Sequence, residues 1–481
     1  MFKFILKQKV YLFLVLMIGM IASCSSDDDM VIGDITSPTG ELTKTIPWDE
    51  TEASISFTAN SAWTASVAEV GTRAATSISW LKITVPKGGA GDVKMPLLLS
   101  KNDNETYREA EVTIKCGEKS VTVTIHQEAN PDAVKMMDAS AISNYSMYIT
   151  PGTWNEGFEK GPEYMLRSDA KWSWWRMKQS EHFFVFWEPG FGDNPNAESV
   201  PEALRVDIDD LLQKAEQFYK TNVEKLGMAT VGQGKSVLDN HKMQIYLLYQ
   251  TEWLATGSGY DNKIGALWVN PSTCKPVGST IGHEIGHSFQ YQVSADKLFT
   301  GEVAEDANGL VPAGFRYGFG ANGAGGCAYW EQCAQWQSFQ DYPNECFDQD
   351  AHYAVWLKNH HRHFNHEFMR YASYWFQYWF TEKHGIASYA RIWKESKYPE
   401  DPLQTYMRIY CNNSLDALYK DLYEYSAHCA DYDFKAVHQY KKEAAINYST
   451  KLYKNDGYYQ VAYTNCPGTT GFNLIPLNVP A

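Results

Sequence analysis

The chain has 481 residues, 44% of them hydrophobic and 14% aromatic, enough for two or three domains with sizeable cores. A formal charge of −15 argues against nucleic acid as a partner. Nine cysteines without a C-x-x-C pair supply neither a finger-type metal site nor a disulfide framework, so free buried thiols are the expectation.

Residues 1–23 read as a secretory signal. Lys3, Lys7 and Lys9 precede an apolar run from Val10 to Ala22, too short for a membrane span. Cys24 directly after Ala22 and Ser23 resembles a bacterial lipobox, which implies cleavage before Cys24, lipidation of its thiol and an outer-membrane anchor. The acidic tract Asp27–Asp29 resembles the surface-export signal of Bacteroidetes lipoproteins; a plain solvated linker is the alternative. Residues 24–42 form a polar tether.

Residues 43–128 predict a small all-β sandwich. Ser54–Thr58, Glu111–Lys115 and Ser120–His126 alternate apolar and polar residues, the period of half-buried strands. Turn residues at Pro86–Gly91 and Lys101–Asn104 separate them. Trp63, Trp80, Pro86, Gly88, Gly89, the stretch Asn102–Arg108 and the stretch Val121–Gln127 together resemble a BACON domain. That resemblance implies an immunoglobulin-like module with glycan or mucin contact, for which Trp63 and Trp80 are the stacking candidates. Core packing is the favoured reading of both rings, because one tryptophan supplies much of so small a core.

Residues 135–450 predict an α+β region with a helical C-terminal part. His182–Trp187 reads as a buried strand and Val200–Leu226 as a helix. Leu204, Ile208, Leu211, Leu212, Ala215, Phe218 and Tyr219 form its apolar stripe, and Gly227 stops it. Met243–Tyr249 reads as another strand, and Gly265–Val269 as an edge strand or hairpin arm. His283, Glu284 and His287 then make an H-E-x-x-H motif, which chance supplies roughly 0.02 times in a chain of this composition. On a helix capped by Ser279 both imidazoles reach one metal ion, with Glu284 beside them, while Ile281, Ile285 and Phe289 bury the neighbouring stripe.

A catalytic zinc needs a third protein ligand. The metzincin pattern of Gly and His soon after the second His is absent here; resemblance to the gluzincin class, which uses a Glu on a later helix, implies a later carboxylate. Glu331 is the single acid of the aromatic, helix-patterned stretch Ala328–Phe339 and is the preferred ligand; Glu302 and Glu305 are alternatives. The glycine-rich stretch Gly318–Gly326 reads as a rim over the cleft. His360, His363 and His366 step by three, so a second metal is conceivable but not expected. One of His361, His363, His366, Tyr371 or Tyr374 is expected to face the zinc as a donor to the developing oxyanion; Tyr371 and His366 are put forward with Glu284 as catalytic residues. Residues 451–481 are strand-like, at Gly457–Tyr463 and Phe472–Pro476, and either extend the preceding region or mark a truncated chain.

The order strand, helix, strands, H-E-x-x-H helix is similar to the zincin metallopeptidases of the gluzincin type. It also resembles Bacteroidetes lipoproteins carrying H-E-x-x-H and a later Trp-Glu-x-x-Ala helix, here residues 283–287 and 330–334. The resemblance implies zinc held by His283, His287 and Glu331, Glu284 as general base, and an endopeptidase on the cell surface acting on protein or glycoprotein, mucin included. The alternative is a glycan-binding lipoprotein whose zincin-like region is a non-catalytic scaffold.

Overall fold

The computed structural model describes residues 30–32, 42–70, 78–154, 156–309, 311, 314–315, 327–348, 351–443, 448 and 450–477. The signal, Cys24, most of the tether and the loop 318–326 lie outside them. The chain divides into two compact units at Lys135 and Met136.

The first unit is a pair of sheets. One has the order β1 (Met30–Ile32), β3 (Glu52–Ala59), β7 (Gly91–Leu99), β5 (Leu81–Ile83). The other runs β2 (Leu42–Ile46), β9 (Lys119–Gln127), β8 (Arg108–Cys116), β4 (Trp63–Glu69), β6 (Lys87–Gly88). Alternation decides which side chains meet. Ile55, Phe57, Met95 and Leu97 from the first sheet share one core with Trp63, Val112, Ile114 and Ile125 from the second. Trp63 is buried and packs edge-on against Phe57, with ring centroids 5.0 Å apart. Trp80 is half-buried, and the Arg108 guanidinium lies 4.5 Å over its ring. Trp63 therefore serves packing, and Arg108 covers part of Trp80.

The second unit is built on a five-stranded sheet of order β10 (Met177–Gln179), β11 (Phe183–Trp187), β12 (Met243–Leu247), β14 (Ile264–Val269), β13 (Ala255–Tyr260). The three central strands are parallel and the outer two antiparallel. The Gly265–Val269 stretch is thus an inner hairpin arm. The edge is β13, whose sequence Ala-Thr-Gly-Ser-Gly-Tyr carries too little apolar alternation to signal a strand. Register puts Phe186, Tyr246 and Trp268 on one face, where Trp154 meets Tyr246 and Trp268 at 4.9 and 4.8 Å. Phe183 on the opposite face meets Tyr219 of helix α1 (Ile208–Lys220).

Helix α1 starts later than the apolar stripe suggests. Asp207 sets the start, its carboxylate accepting from the N–H groups of Asp209 and Asp210. The helix runs on into a π turn, Thr221–Lys225. Helix α2 (Ser279–Phe299) carries the H-E-x-x-H motif. Its N-cap is Gly278, with no side-chain cap, so Ser279 is the first helical residue rather than the cap. Ile281, Ile285, Phe289 and Val293 bury one stripe of α2. A Cβ on Gly257 of β13 would lie 2.0 Å from the Glu284 carbonyl oxygen. Glycine there lets helix and edge strand touch.

Helices α3 (Ala328–Ser338), α4 (His352–Asn359), α5 (Trp375–His384), α6 (Ala387–Lys394), α7 (Pro402–Tyr410) and α8 (Leu415–His428) follow. Strands β15 (Leu452–Asn455) and β16 (Tyr458–Val461) form a separate hairpin. Phe472–Pro476 is irregular rather than a strand. Every cysteine after Cys24 is a free thiol. No helix of the described residues is long and apolar enough to cross a membrane.

Candidate metal centre

One turn of α2 separates His283 from His287, and the first turn of α3 brings Glu331 against both. The Nε2 atoms of His283 and His287 lie 3.0 Å apart, and each lies 3.0 Å from Oε2 of Glu331. Among the described residues this is the one group of three side chains able to hold a metal ion. Tetrahedral ligands at about 2.0–2.1 Å from zinc stand roughly 3.3–3.4 Å apart, so this triangle matches a transition-ion site to within a few tenths of an ångström.

The outer hydrogen bonds sharpen the fit. His283 Nδ1 lies 3.1 Å from Oε1 of Gln335, and His287 Nδ1 lies 3.0 Å from Oε1 of Gln290. An amide oxygen only accepts, so both Nδ1 atoms carry hydrogen and each ring presents its Nε2 as the ligand atom facing Glu331. Three electron-pair donors facing one point call for a cation. The electrostatics agree. Burial opposes a proton on His287, but Glu331 outweighs burial and raises its pKa. Burial likewise opposes ionisation of Glu331, and the two imidazoles beside it hold its carboxyl far below the usual range.

Glu284 is buried and accepts the Gly257 N–H on Oε2 at 2.6 Å. Two cavities of about 750 and 670 Å³ meet at Gly257, His287 and Glu331, so a cleft extends to both sides of the triangle. The smaller lobe is lined by Glu284, Tyr371, His352 and Trp253, the larger by Trp330, Tyr291 and Tyr398. Strand β13 borders both, contributing Ala255–Gly257 to one and Gly257–Ser258 to the other.

Tyr371 stands close to the triangle, with its ring centroid 5.8 Å from that of His283. Burial, reinforced by Glu331, pushes its hydroxyl up to about 12, so it keeps its proton at neutral pH. His352 stacks on Tyr371 at 5.2 Å. Burial, then His283, lowers its pKa.

His366 is not at this site. Helix α4 ends at Asn359, so the three-residue spacing of His360, His363 and His366 does not generate one helix face. His366 Nδ1 accepts the Phe368 N–H, its Nε2 faces Arg362, and it lines neither lobe. Tyr374 is turned away too, its hydroxyl donating to the Cys346 carbonyl at 2.6 Å. Glu302 pairs with Lys297 at 3.6 Å, and Glu305 accepts from Asn262. Neither joins the histidines. The residues missing from the sequence reading are His352, Gln290, Gln335 and Gly257. Gln290 lies three residues after His287 and Gln335 four after Glu331, the helical spacings at which a supporting amide was visible.

Residues 139–481 match a family described as "Family of unknown function (DUF6055)". The chain belongs to the DUF6055 family. Residues 66–128, within the first unit, match the BACON domain, described as "Putative binding domain, N-terminal", which precedes the DUF6055 region in the chain. No curated protein matches the chain. Among solved structures, a Bacteroides thetaiotaomicron protein determined by NMR is 18% identical over 23% of this chain and 98% of its own, with a TM-score of 0.16. A Bacteroides ovatus GH5 xyloglucanase in complex with a XXXG heptasaccharide is 15% identical over 55% of this chain and 62% of its own, also at 0.16. The E. coli chaperone DraB is 12% identical over 20% of this chain and 55% of its own, again at 0.16. Likenesses at that score carry no argument.

Proposed function

We propose that this DUF6055 region is a zinc-dependent endopeptidase of the gluzincin type, acting on protein or glycoprotein, mucin-type included. One observation carries the reading: two imidazoles and a carboxylate converge to 3.0 Å beside a second buried carboxylate on the wall of a two-ended cleft.

A zinc ion held by His283, His287 and Glu331 supplies Lewis acidity to a substrate carbonyl and to the attacking water. Glu284 is the general base. The Gly257 N–H fixes one of its oxygens at 2.6 Å, and the carboxylate takes the water's proton and delivers it to the leaving amine. The Tyr371 hydroxyl, protonated up to about pH 12, donates to the carbonyl oxygen as charge grows on it. His352 stacks behind that ring and orients it. Strand β13 offers the substrate backbone an edge to pair with. A cleft open on both sides of the triangle suits cleavage within a chain. The basic, apolar start and Cys24 support export and lipid anchoring at the outer membrane, facing outward. The buried Trp63 and covered Trp80 make the BACON domain a spacer in this reading.

The test is metal analysis of the purified chain together with cleavage of casein and mucin by wild type and Glu284→Ala. Expected are one zinc per chain in both proteins and cleavage by wild type alone. Zinc far below stoichiometric level sinks the metal site; equal cleavage by both proteins sinks the role of Glu284.

A further inference from the structure

Gln290, Gln337 and Asn222 are all buried, at 4%, 1% and 2% exposure. Buried amides are costly unless their hydrogen bonds are made. Here they are made in a single chain across three segments. His287 Nδ1 faces Gln290 Oε1 at 3.0 Å; Gln290 Nε2 donates to Gln337 Oε1 at 3.0 Å; Gln337 Nε2 donates to Asn222 Oδ1 at 2.5 Å; Asn222 Nδ2 donates to the Phe218 carbonyl at 2.9 Å.

The direction of this chain has no freedom. A backbone carbonyl only accepts. Asn222 must therefore turn its nitrogen to Phe218, leaving its oxygen for Gln337. Gln290 must turn its nitrogen to the Trp330 carbonyl, 3.0 Å away, leaving its oxygen for His287. Gln337 between them presents its oxygen to Gln290 and to the Tyr389 hydroxyl, which donates at 2.9 Å. Local structure makes room for the chain. Asn222 sits in the π turn that ends α1, a kind of turn frequent at functional sites. A Cβ on Gly286 would lie 3.1 Å from Gln337 Oε1, so the glycine inside the H-E-x-x-H motif leaves that oxygen its place.

We infer that Asn222, Gln337 and Gln290 are positioning residues, a one-way hydrogen-bond relay that locks His287 in its Nδ1–H tautomer and so pre-sets its Nε2 for a divalent metal ion. This rests on the reading of His283, His287 and Glu331 as a metal site. Gln337 and Asn222 line neither lobe of the cleft, and Gln290 links them to His287.

The experiment uses the full chain as wild type, Gln290→Met, Gln337→Met and the double variant. Zinc affinity is read by competition with a chromophoric chelator, the site by the visible spectrum of bound cobalt, and the fold by thermal melting. Loss of an outer partner weakens metal binding by about 10–100-fold, expected for Gln290→Met. Gln337→Met is expected to weaken it about tenfold with an altered cobalt spectrum. The double variant should bind no more weakly than Gln290→Met, because a relay is broken only once. Single variants that bind zinc as tightly as wild type overturn the relay, and so do losses that multiply in the double variant. If Gln337→Met does not fold, Asn222→Leu gives the same test from the far end. A wild-type chain that takes up no zinc overturns the metal-site reading itself, a result distinct from either.

Discussion

The BACON domain and the DUF6055 region both bury amides, and they use them differently. In the BACON domain Gln127 donates to the carbonyls of Trp48, Glu50 and Ser100, and Asn102 to those of Thr106 and Glu128. These side chains pin loops, and the core between the sheets is apolar. In the DUF6055 region the amides of Gln290 and Gln335 end on imidazoles, and polar side chains run through the middle of the helical core. A buried polar group is tolerated where its partner is supplied, so its partner says what it is for. Amides that end on backbone carbonyls hold architecture; amides that end on two rings facing one shared carboxylate hold a site.

The largest test of this contrast is Glu284→Gln, which keeps the shape of the side chain and removes the proposed base. Peptide hydrolysis should fall by about 10²–10⁴-fold while zinc content and melting temperature stay put. Equal losses of activity and stability would make Glu284 an architectural group like Gln127. Next is Tyr371→Phe. Removing one donor to the oxyanion should lower kcat by on the order of 10²–10³-fold. The pH dependence tells donation from packing. Tyr371 donates only while protonated, below its pKa of about 12, so the variant should lower the whole profile from pH 6 to 9 without moving its limbs. A displaced alkaline limb would count against the donor role.

The opposite expectation holds in the sandwich. Ile114 is fully buried between the sheets, and Ile114→Ala should cost about 2–5 kcal/mol of stability in urea unfolding. Activity per folded molecule should not change. A fall in kcat/KM at temperatures where the variant is folded would show that the BACON domain does more than act as a spacer for the proposed peptidase.

How much of this was legible beforehand follows from the reach of each signal. The alternation of β8 and the stripe of α2 are local, and both elements stand where the sequence puts them. The H-E-x-x-H pair is local too. Glu331 was findable because it is the one acid in an apolar helical stretch. Strand β13 was not, because Gly257 and Gly259 are chosen for close approach to α2, and glycine erases the β signal. His366 was misplaced because spacing by three assumes a helix, and the chain turns after Asn359. His352 and Asn222 reach the site through tertiary packing alone.

The smallest predicted effect bears on a part of the DUF6055 region that lines neither lobe of the cleft. Glu216 on α1 accepts both the backbone N–H of His182 at 2.8 Å and, at 2.7 Å, its ring Nδ1, clasping α1 to the start of β11. Burial raises the pKa of Glu216, and the contacts with His182 outweigh burial and leave it lowered. The sign then follows. A carboxylate whose pKa is lower in the folded state adds stability above its unfolded value of about 4.3, and that stability is lost as pH falls through the folded pKa. The clasp is partly solvated, so Glu216→Gln should cost only about 1 kcal/mol at pH 7. The gap between wild type and variant should shrink as the pH of urea unfolding drops below about 4. A gap that persists at pH 3 would assign the loss to shape rather than charge. Unchanged zinc affinity in the same variant would place the clasp with Gln127 among the groups that hold the fold and leave the chemistry to α2.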